Sequence, residues 1–245
     1  IILIVLALVA LLIFNRFWAI RQKNKTIEIQ KTELSKRSHE NETLLKEVHH
    51  RVKNNLQVVS SLLSLQARSV PEELVDAFLE SQGRVKAMAL MHQQLYEHKT
   101  YESIGAAKYS SELVTLITRS HTMTSSQNIK TVLVPPEREV FLTMDQALPF
   151  GLLLNELVTN SIKHAFTDQD VGEIRISMSQ DGDMNIVIVE DNGKGVEEGV
   201  ELGKTTSLGF QLIPGLVEQL DGEIVLIRNQ GTRYEIRFRK QETEE

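Results

Sequence analysis

Three short stretches of this 245-residue chain carry side chains whose types and spacing suit chemistry. Residues 155–165 read Asn-Glu-Leu-Val-Thr-Asn-Ser-Ile-Lys-His-Ala. Wound as an α-helix, they line up Glu156, Asn160 and Lys163 and turn Leu154, Val158, Ser161, Ile162 and Ala165 the other way. A carboxylate, an amide and an ammonium in one line can hold a polyanion and its counter-ion. The second stretch is Asp191-Asn192-Gly193-Lys194-Gly195, which comes after a strand-like run from Ile186 to Glu190. An acid at a strand end can accept from an exocyclic amine, and glycines let the backbone approach a flat ligand closely. The third is the pair His49-His50, on a helix whose apolar stripe is Val48, Val52, Leu56, Val59 and Leu63. At about 100° per residue His49 falls at the edge of that stripe and His50 almost opposite its centre, so His50 should meet solvent. Around it on the outer face come Lys46, Glu47, Lys53, Asn54 and Gln57. A neutral imidazole there is a competent nucleophile near neutral pH.

The elements that must position these groups can be read from pattern and composition. Two modest domains plus an anchor fit the length. The formal charge is -6, and no basic tract lies beyond the first 40 or so positions, so nucleic acid is not an expected partner. The chain has no cysteine, which removes disulfides, thiol nucleophiles and zinc-cysteine sites. Ile1 to Phe14 contain no polar side chain, Phe17 and Trp18 sit where interfacial aromatics lie, and Arg16, Arg21, Lys23 and Lys25 flank them. That order predicts a truncated membrane helix over residues 1–20, with the remainder of the chain in the cytoplasm.

Residues 21–43 read as a charged signalling helix; Ile27, Leu34, Asn41 and, just past its end, Val48 recur every seven positions with Leu44 between the last two, a weak coiled-coil series. Pro71 separates two amphipathic stretches, 44–68 and 72–98, a helical hairpin whose second copy would complete a four-helix bundle. From residue 101 onward the pattern changes. A helix near 106–120, a strand at 129–134, the polar-striped helix, strands near 173–179 and 184–190, a helix around 208–220 and strands near 223–228 and 232–239 make an α/β sandwich. The fold class is therefore α+β: an N-terminal membrane helix and helical linker, a hairpin over 44–100, then an α/β domain over 101–245.

Competing signatures fail on spacing. Gly203-Lys204-Thr205 resembles the end of a P-loop, but the opening glycine would fall on Glu198. Asp181, Asp183 and Asn185 imitate a calcium loop whose required glycine is instead Ile186. His92, His98, His121 and His164 show no paired ligand spacing for zinc.

The stretch Glu47-Val48-His49-His50-Arg51-Val52-Lys53-Asn54-Asn55-Leu56 resembles the acceptor box of sensor histidine kinases of the second HisKA subfamily, related to the HWE kinases. Residues 155–165 resemble their N box, 191–195 the first glycine box, Ser207-Leu208-Gly209-Phe210-Gln211-Leu212 the second, and Gly231-Thr232 the closing motif. The likeness runs in order from about residue 44 to 239.

This resemblance implies a dimerisation and phosphoacceptor hairpin joined to an ATP-binding domain of the Bergerat or GHKL type. It implies ATP and Mg²⁺ as cofactors, His50 as the phosphorylated residue, and Asn160 as the metal ligand. Glu156 would assist proton removal or hold a metal-bound water. Lys163, His164, Asp191, Gly193, Gly195, Leu208, Gly209 and Thr232 would hold the nucleotide, Asp191 through the adenine amine. The expected partners are a receiver-domain response regulator and a second copy of the chain, at the inner membrane with the kinase domains in the cytoplasm.

One departure is Arg51, where many such kinases place an acid directly after the acceptor; Glu47, one turn earlier, is the expected substitute for orienting the imidazole. Residues 196–207 read as a short lid over the phosphates. Two other readings remain beside this one. A membrane-anchored scaffold would bind nucleotide without transfer, and a serine kinase of the same ATP fold would have no use for the outward histidine.

Overall fold

The computed structural model describes residues 2–97, 103–122, 128–167, 171–197, 199–200, 202–204, 208–228 and 230–241; the side chains of 3–10, 42, 95–97, 121–122 and 208 lie outside that description. Two compact units divide the chain, residues 1–48 and residues 49–245.

The first unit is helical from Ile2, in the opening part of α1 (Ile2–Ala67). Its described side chains stand in solvent, Ile27, Leu34 and Leu44 of the heptad series included. Exposed pairs one turn apart, such as Arg37 with Glu33 at 2.7 Å, give it modest local support. The membrane crossing expected of residues 1–20 is not met: among the described residues no helix is long and apolar enough to cross a membrane. The uninterrupted apolar run stops at Phe14 before Asn15 and Arg16, short of the roughly 20 residues a span needs.

The second unit begins in the remainder of α1, which turns back after Ala67 into α2 (Glu72–Glu97). Pro71 stands immediately before α2 and its carbonyl accepts from the Leu74 amide, which starts the helix. Across the hairpin Gln82 Nε2 donates to the Ser60 carbonyl at 3.0 Å, and the half-buried His49 meets His92 with their Nδ1 atoms 3.5 Å apart. His50, the next residue, is exposed as its helical angle predicts.

A five-stranded sheet comes next, in the order β2-β4-β5-β7-β6 (β2 Asn128–Val134, β4 Val171–Asp181, β5 Met184–Asp191, β6 Gly222–Arg228, β7 Thr232–Arg239). β2 pairs with β4 in parallel and the remaining pairs are antiparallel. Three helices pack on it: α3 (Ala106–Thr122), α4 (Met144–Asn160) and α5 (Leu208–Gln219). Strict alternation drives this layering: Ile174, Ile176, Val187, Val189, Ile236 and Phe238 are buried while their neighbours are not. These side chains meet Phe150, Leu154 and Leu157 of α4, Ile213 of α5 and Leu220 just after it in one core, each contributing about 1.5–3 kcal/mol on burial.

Two features escaped the periodicity. A two-residue ribbon joins β1 (Ile104–Gly105) to β3 (Phe141–Leu142), too short to show alternation. α4 also begins at Met144, well ahead of the polar stripe. Its start is pinned by Gln146, whose Oε1 accepts from the Thr143 amide at 3.4 Å and whose Nε2 donates to the Arg239 carbonyl at 2.8 Å.

The seat of α4 on α3 is tight at Gly151, where an added Cβ would lie 1.9 Å from the Tyr109 hydroxyl oxygen. Gly151→Ala should therefore cost about 1–3 kcal/mol through overpacking despite the better helix propensity of alanine. Thermal unfolding checks this, and an unchanged or raised midpoint would contradict the packing described.

Candidate functional site

The site forms where α4 ends, β5 ends and β7 begins. Past Asn160 the helix widens into a π-turn over Ser161–Ala165, a form that recurs at functional sites. Ser161, on the face away from the stripe, donates its hydroxyl to Asp191 Oδ2 at 2.8 Å.

Asp191 is 8% exposed. Its Oδ1 accepts from the amides of Gly193 at 3.1 Å and Thr232 at 3.2 Å. A carboxylate has about four lone-pair positions, so three protein donors leave room for one more, such as an exocyclic amine.

Two glycines set the backbone around this acid. A Cβ on Gly193 would lie 2.2 Å from the Ala165 carbonyl oxygen, so only glycine lets the loop close on the π-turn. Lys194 donates its amide to that same carbonyl at 2.9 Å. Gly231 adopts φ +129°, and its missing Cβ would lie 1.9 Å from the Asp191 carbonyl oxygen.

A cavity of about 250 Å³ opens here, lined among others by Asn160, His164, Asp191, Gly195, Phe210 and Thr232. That is below the roughly 300–1,000 Å³ of drug-sized sites, the scale of a base rather than of a whole nucleotide. His164 stands at its rim, with its imidazole held below the ordinary value first by burial and then by the Lys163 charge; it is therefore neutral near pH 7. A larger hollow of about 430 Å³ on the outer face of the sheet shares Asp191 and Thr232. There Arg175 pairs with Glu173 and Arg233 with Glu190, so its charges already neutralise one another.

The other expected residues surround the cavity on its α4 side. Asn160 Nδ2 is buried with no hydrogen-bond partner among the described residues, an orphan that a polar ligand would satisfy. Gly209, in the first turn of α5, has space for no Cβ: one would lie 2.6 Å from Glu156 Oε2 and 3.7 Å from Asn160 Oδ1. The amide end of α5 thus abuts the acid and amide of the N-box helix, which suits an anionic ligand with a bound cation. The side chain of Leu208, and residues 198, 201 and 205–207 of the expected lid, lie outside the described residues.

Glu156 and Lys163 of the polar stripe are both held by residues of α2. Glu156 is 4% exposed and takes a bidentate pair from Arg84 of α2, Nε to Oε1 at 2.9 Å and Nη2 to Oε2 at 2.8 Å. Asn155 Nδ2 adds a third donor at 3.1 Å. Burial lowers the basicity of Arg84, but its hydrogen bonds and proximity to Glu156 and Glu80 carry it above its ordinary value. Lys163 lies 2.9 Å from Glu80 and 3.2 Å from Asp76, both on α2.

Sequence reasoning missed Asp76, Glu80 and Arg84, although their spacing of four on one helix face was a readable signal. His50 lies on α1 and is not among the residues lining the cavity, and Glu47 belongs to the first unit. Among the described residues no group of three metal-binding side chains occurs.

Residues 47–121 match the family described as Histidine kinase, and residues 145–242 match the family described as Histidine kinase-, DNA gyrase B-, and HSP90-like ATPase. The chain is similar to the Sensor histidine kinase PdtaS of Mycolicibacterium smegmatis, 33% identical over 183 residues, which is 74% of this chain and 36% of that protein. It is similar to the Blue-light-activated histidine kinase 2 of Erythrobacter litoralis, 28% identical over 210 residues, 82% of this chain and 58% of that protein. It also superposes on the solved histidine kinase domain of a blue-light activated histidine kinase from Erythrobacter litoralis, with a TM-score of 0.60 at 27% identity over 80% of this chain and 90% of that one. The chain spans little more than a third of the length of the first of these relatives. With an exposed histidine on the hairpin and an acid-and-glycine cavity in the sandwich, in the order both family matches require, the chain belongs to the histidine kinase family.

Proposed function

We propose that the chain is an ATP-dependent protein-histidine kinase that phosphorylates His50 and passes the phosphoryl group to an aspartate of a separate receiver domain. One observation carries this reading: a single cavity gathers Asn160, His164, Asp191, Gly195 and Thr232 from segments far apart in sequence, in a chain whose hairpin exposes His50. In this reading Asp191 accepts the adenine amine, and Gly193 and Gly195 let the backbone approach the base. The α5 amides beside Gly209, together with Lys163 and His164, face the phosphates.

Bound Mg²⁺ would offset triphosphate charge, with Asn160 as its protein ligand and phosphate oxygens and waters as the rest. An imidazole nitrogen of His50 attacks the γ-phosphorus in line, the bond to the β-γ bridging oxygen breaks, and ADP leaves. Glu156 serves as the acceptor for the imidazole proton, and Glu47 orients the ring. A second copy of the chain covers the hairpin's outer apolar side, where Val58, Val59, Leu62, Leu65 and Leu74 are exposed, completing a four-helix bundle.

Incubation with γ-labelled ATP and magnesium tests the reading. Label that is lost in acid, kept in base and absent from His50→Ala is the expected outcome. Acid-stable label points to serine chemistry, and no label under any condition leaves a nucleotide-binding scaffold. Glu47→Ala should slow labelling without abolishing it, and an unchanged rate removes Glu47 from the mechanism.

Asp191→Asn exchanges a charged acceptor for an amide that must also find partners for its own protons. Loss of one charge-assisted bond costs about 1.5–3 kcal/mol, so ATP affinity should fall about ten- to a hundredfold. Titration with a fluorescent ATP analogue measures it, and undiminished affinity would place the adenine elsewhere.

A further inference from the structure

Two of the groups that the proposed function needs at the phosphate end of the site, Glu156 and Lys163, already have charged partners, and those partners belong to the hairpin. Arg84 holds both oxygens of Glu156. Glu80 and Asp76 hold the ammonium of Lys163, and Glu80 also lies 3.6 Å from Arg84. The three α2 residues fall at intervals of four, on one helix face turned to α4.

This arrangement opposes transfer in three ways. Glu156 has both carboxylate oxygens engaged by Arg84, and Oε1 also by Asn155, so few of its lone pairs are left to meet an incoming proton. Lys163 is neutralised by two carboxylates, which would repel a triphosphate placed beside them. The acceptor is also at another level of the hairpin. His49, adjacent to His50, meets His92, eight residues along α2 from Arg84, which is about 12 Å of helix. Stability alone is a weak reason for the arrangement, since a buried ion pair is often no better than apolar packing.

We propose that Arg84, Glu80 and Asp76 of α2 form an ion-pair latch that holds the ATP domain in a docked, non-transferring state. Mg-ATP must displace the two acids from Lys163, and transfer must release Glu156 from Arg84. Arg84 is then a positioning residue acting through Glu156. The inference rests on the kinase reading for its meaning, yet its charge competition can be measured without any transfer.

The test uses the full chain. Asp76→Asn with Glu80→Gln should tighten binding of a non-hydrolysable ATP analogue with magnesium by roughly three- to tenfold, from the loss of two partly exposed ion pairs. The Asp76 side chain is 72% exposed, so this variant is expected to fold even if changes at the buried Arg84 do not. Arg84→Gln should raise kcat for autophosphorylation about tenfold with a smaller change in KM. Arg84→Lys, which keeps the charge but loses the two-pronged fork, should fall between.

Analogue affinity unchanged or weakened in the acid variant overturns the latch. So does an Arg84→Gln kcat that falls and is restored by lysine, which would make the guanidinium an aid to transfer. If the unmodified chain binds analogue but never labels His50, the kinase reading fails while the affinity comparison still judges the latch. If it labels His50 and affinity does not respond, the latch alone is lost.

Discussion

A single buried carboxylate holds the geometry of the ATP-type site. Asp191 takes the Ser161 hydroxyl from the π-turn, the Gly193 amide from the glycine loop and the Thr232 amide from the start of β7. Such a charge inside the fold is tolerated only because each of these donors is aimed at it. The converse holds as well. Three segments separated by dozens of residues share one anchor, and the closeness of Gly193 to Ala165 and of Gly231 to the Asp191 carbonyl accompanies the approach of the Gly193 and Thr232 amides to the acid.

Much of this was legible beforehand because it was local. Alternation marked β2, β4, β5, β6 and β7, and the apolar stripe of α1 correctly turned His50 outward. The acid-and-glycine box could be read as a strand-ending turn near a ligand. What stayed hidden depended on partners distant in sequence. The Ser161 hydroxyl finds its acceptor, Asp191, thirty positions along the chain. The fates of Glu156 and Lys163 were set by residues 72 and 83 positions away, beyond any periodicity. The β1–β3 ribbon was too short to leave a pattern.

The hairpin carries two kinds of unfinished surface. Its outer apolar residues, Val58, Leu62 and Leu65 among them, stand exposed on α1 and suit another copy of the same helix pair. Its inner charged stripe on α2 is satisfied by the ATP domain of its own chain. Hydrophobic contact is broad and tolerant, while ion pairs are specific and can be exchanged for other charges. The division suits a bundle that stays assembled while the domain docked on it comes and goes. The His49–His92 contact lies within the hairpin itself; burial first, and then His49, depress the basicity of His92, so this seam favours an uncharged His92 ring.

The spacing of the α2 stripe also bears on how the chain is made. Asp76, Glu80 and Arg84 leave the ribosome more than seventy residues before Glu156 and Lys163 exist. Throughout that interval the nascent hairpin lacks the α4 counter-charges, so apart from the Glu80–Arg84 pair within α2 it displays its acids and guanidinium to water. The same residues that later grip the nucleotide module serve first to keep a half-built, greasy helix pair from clumping.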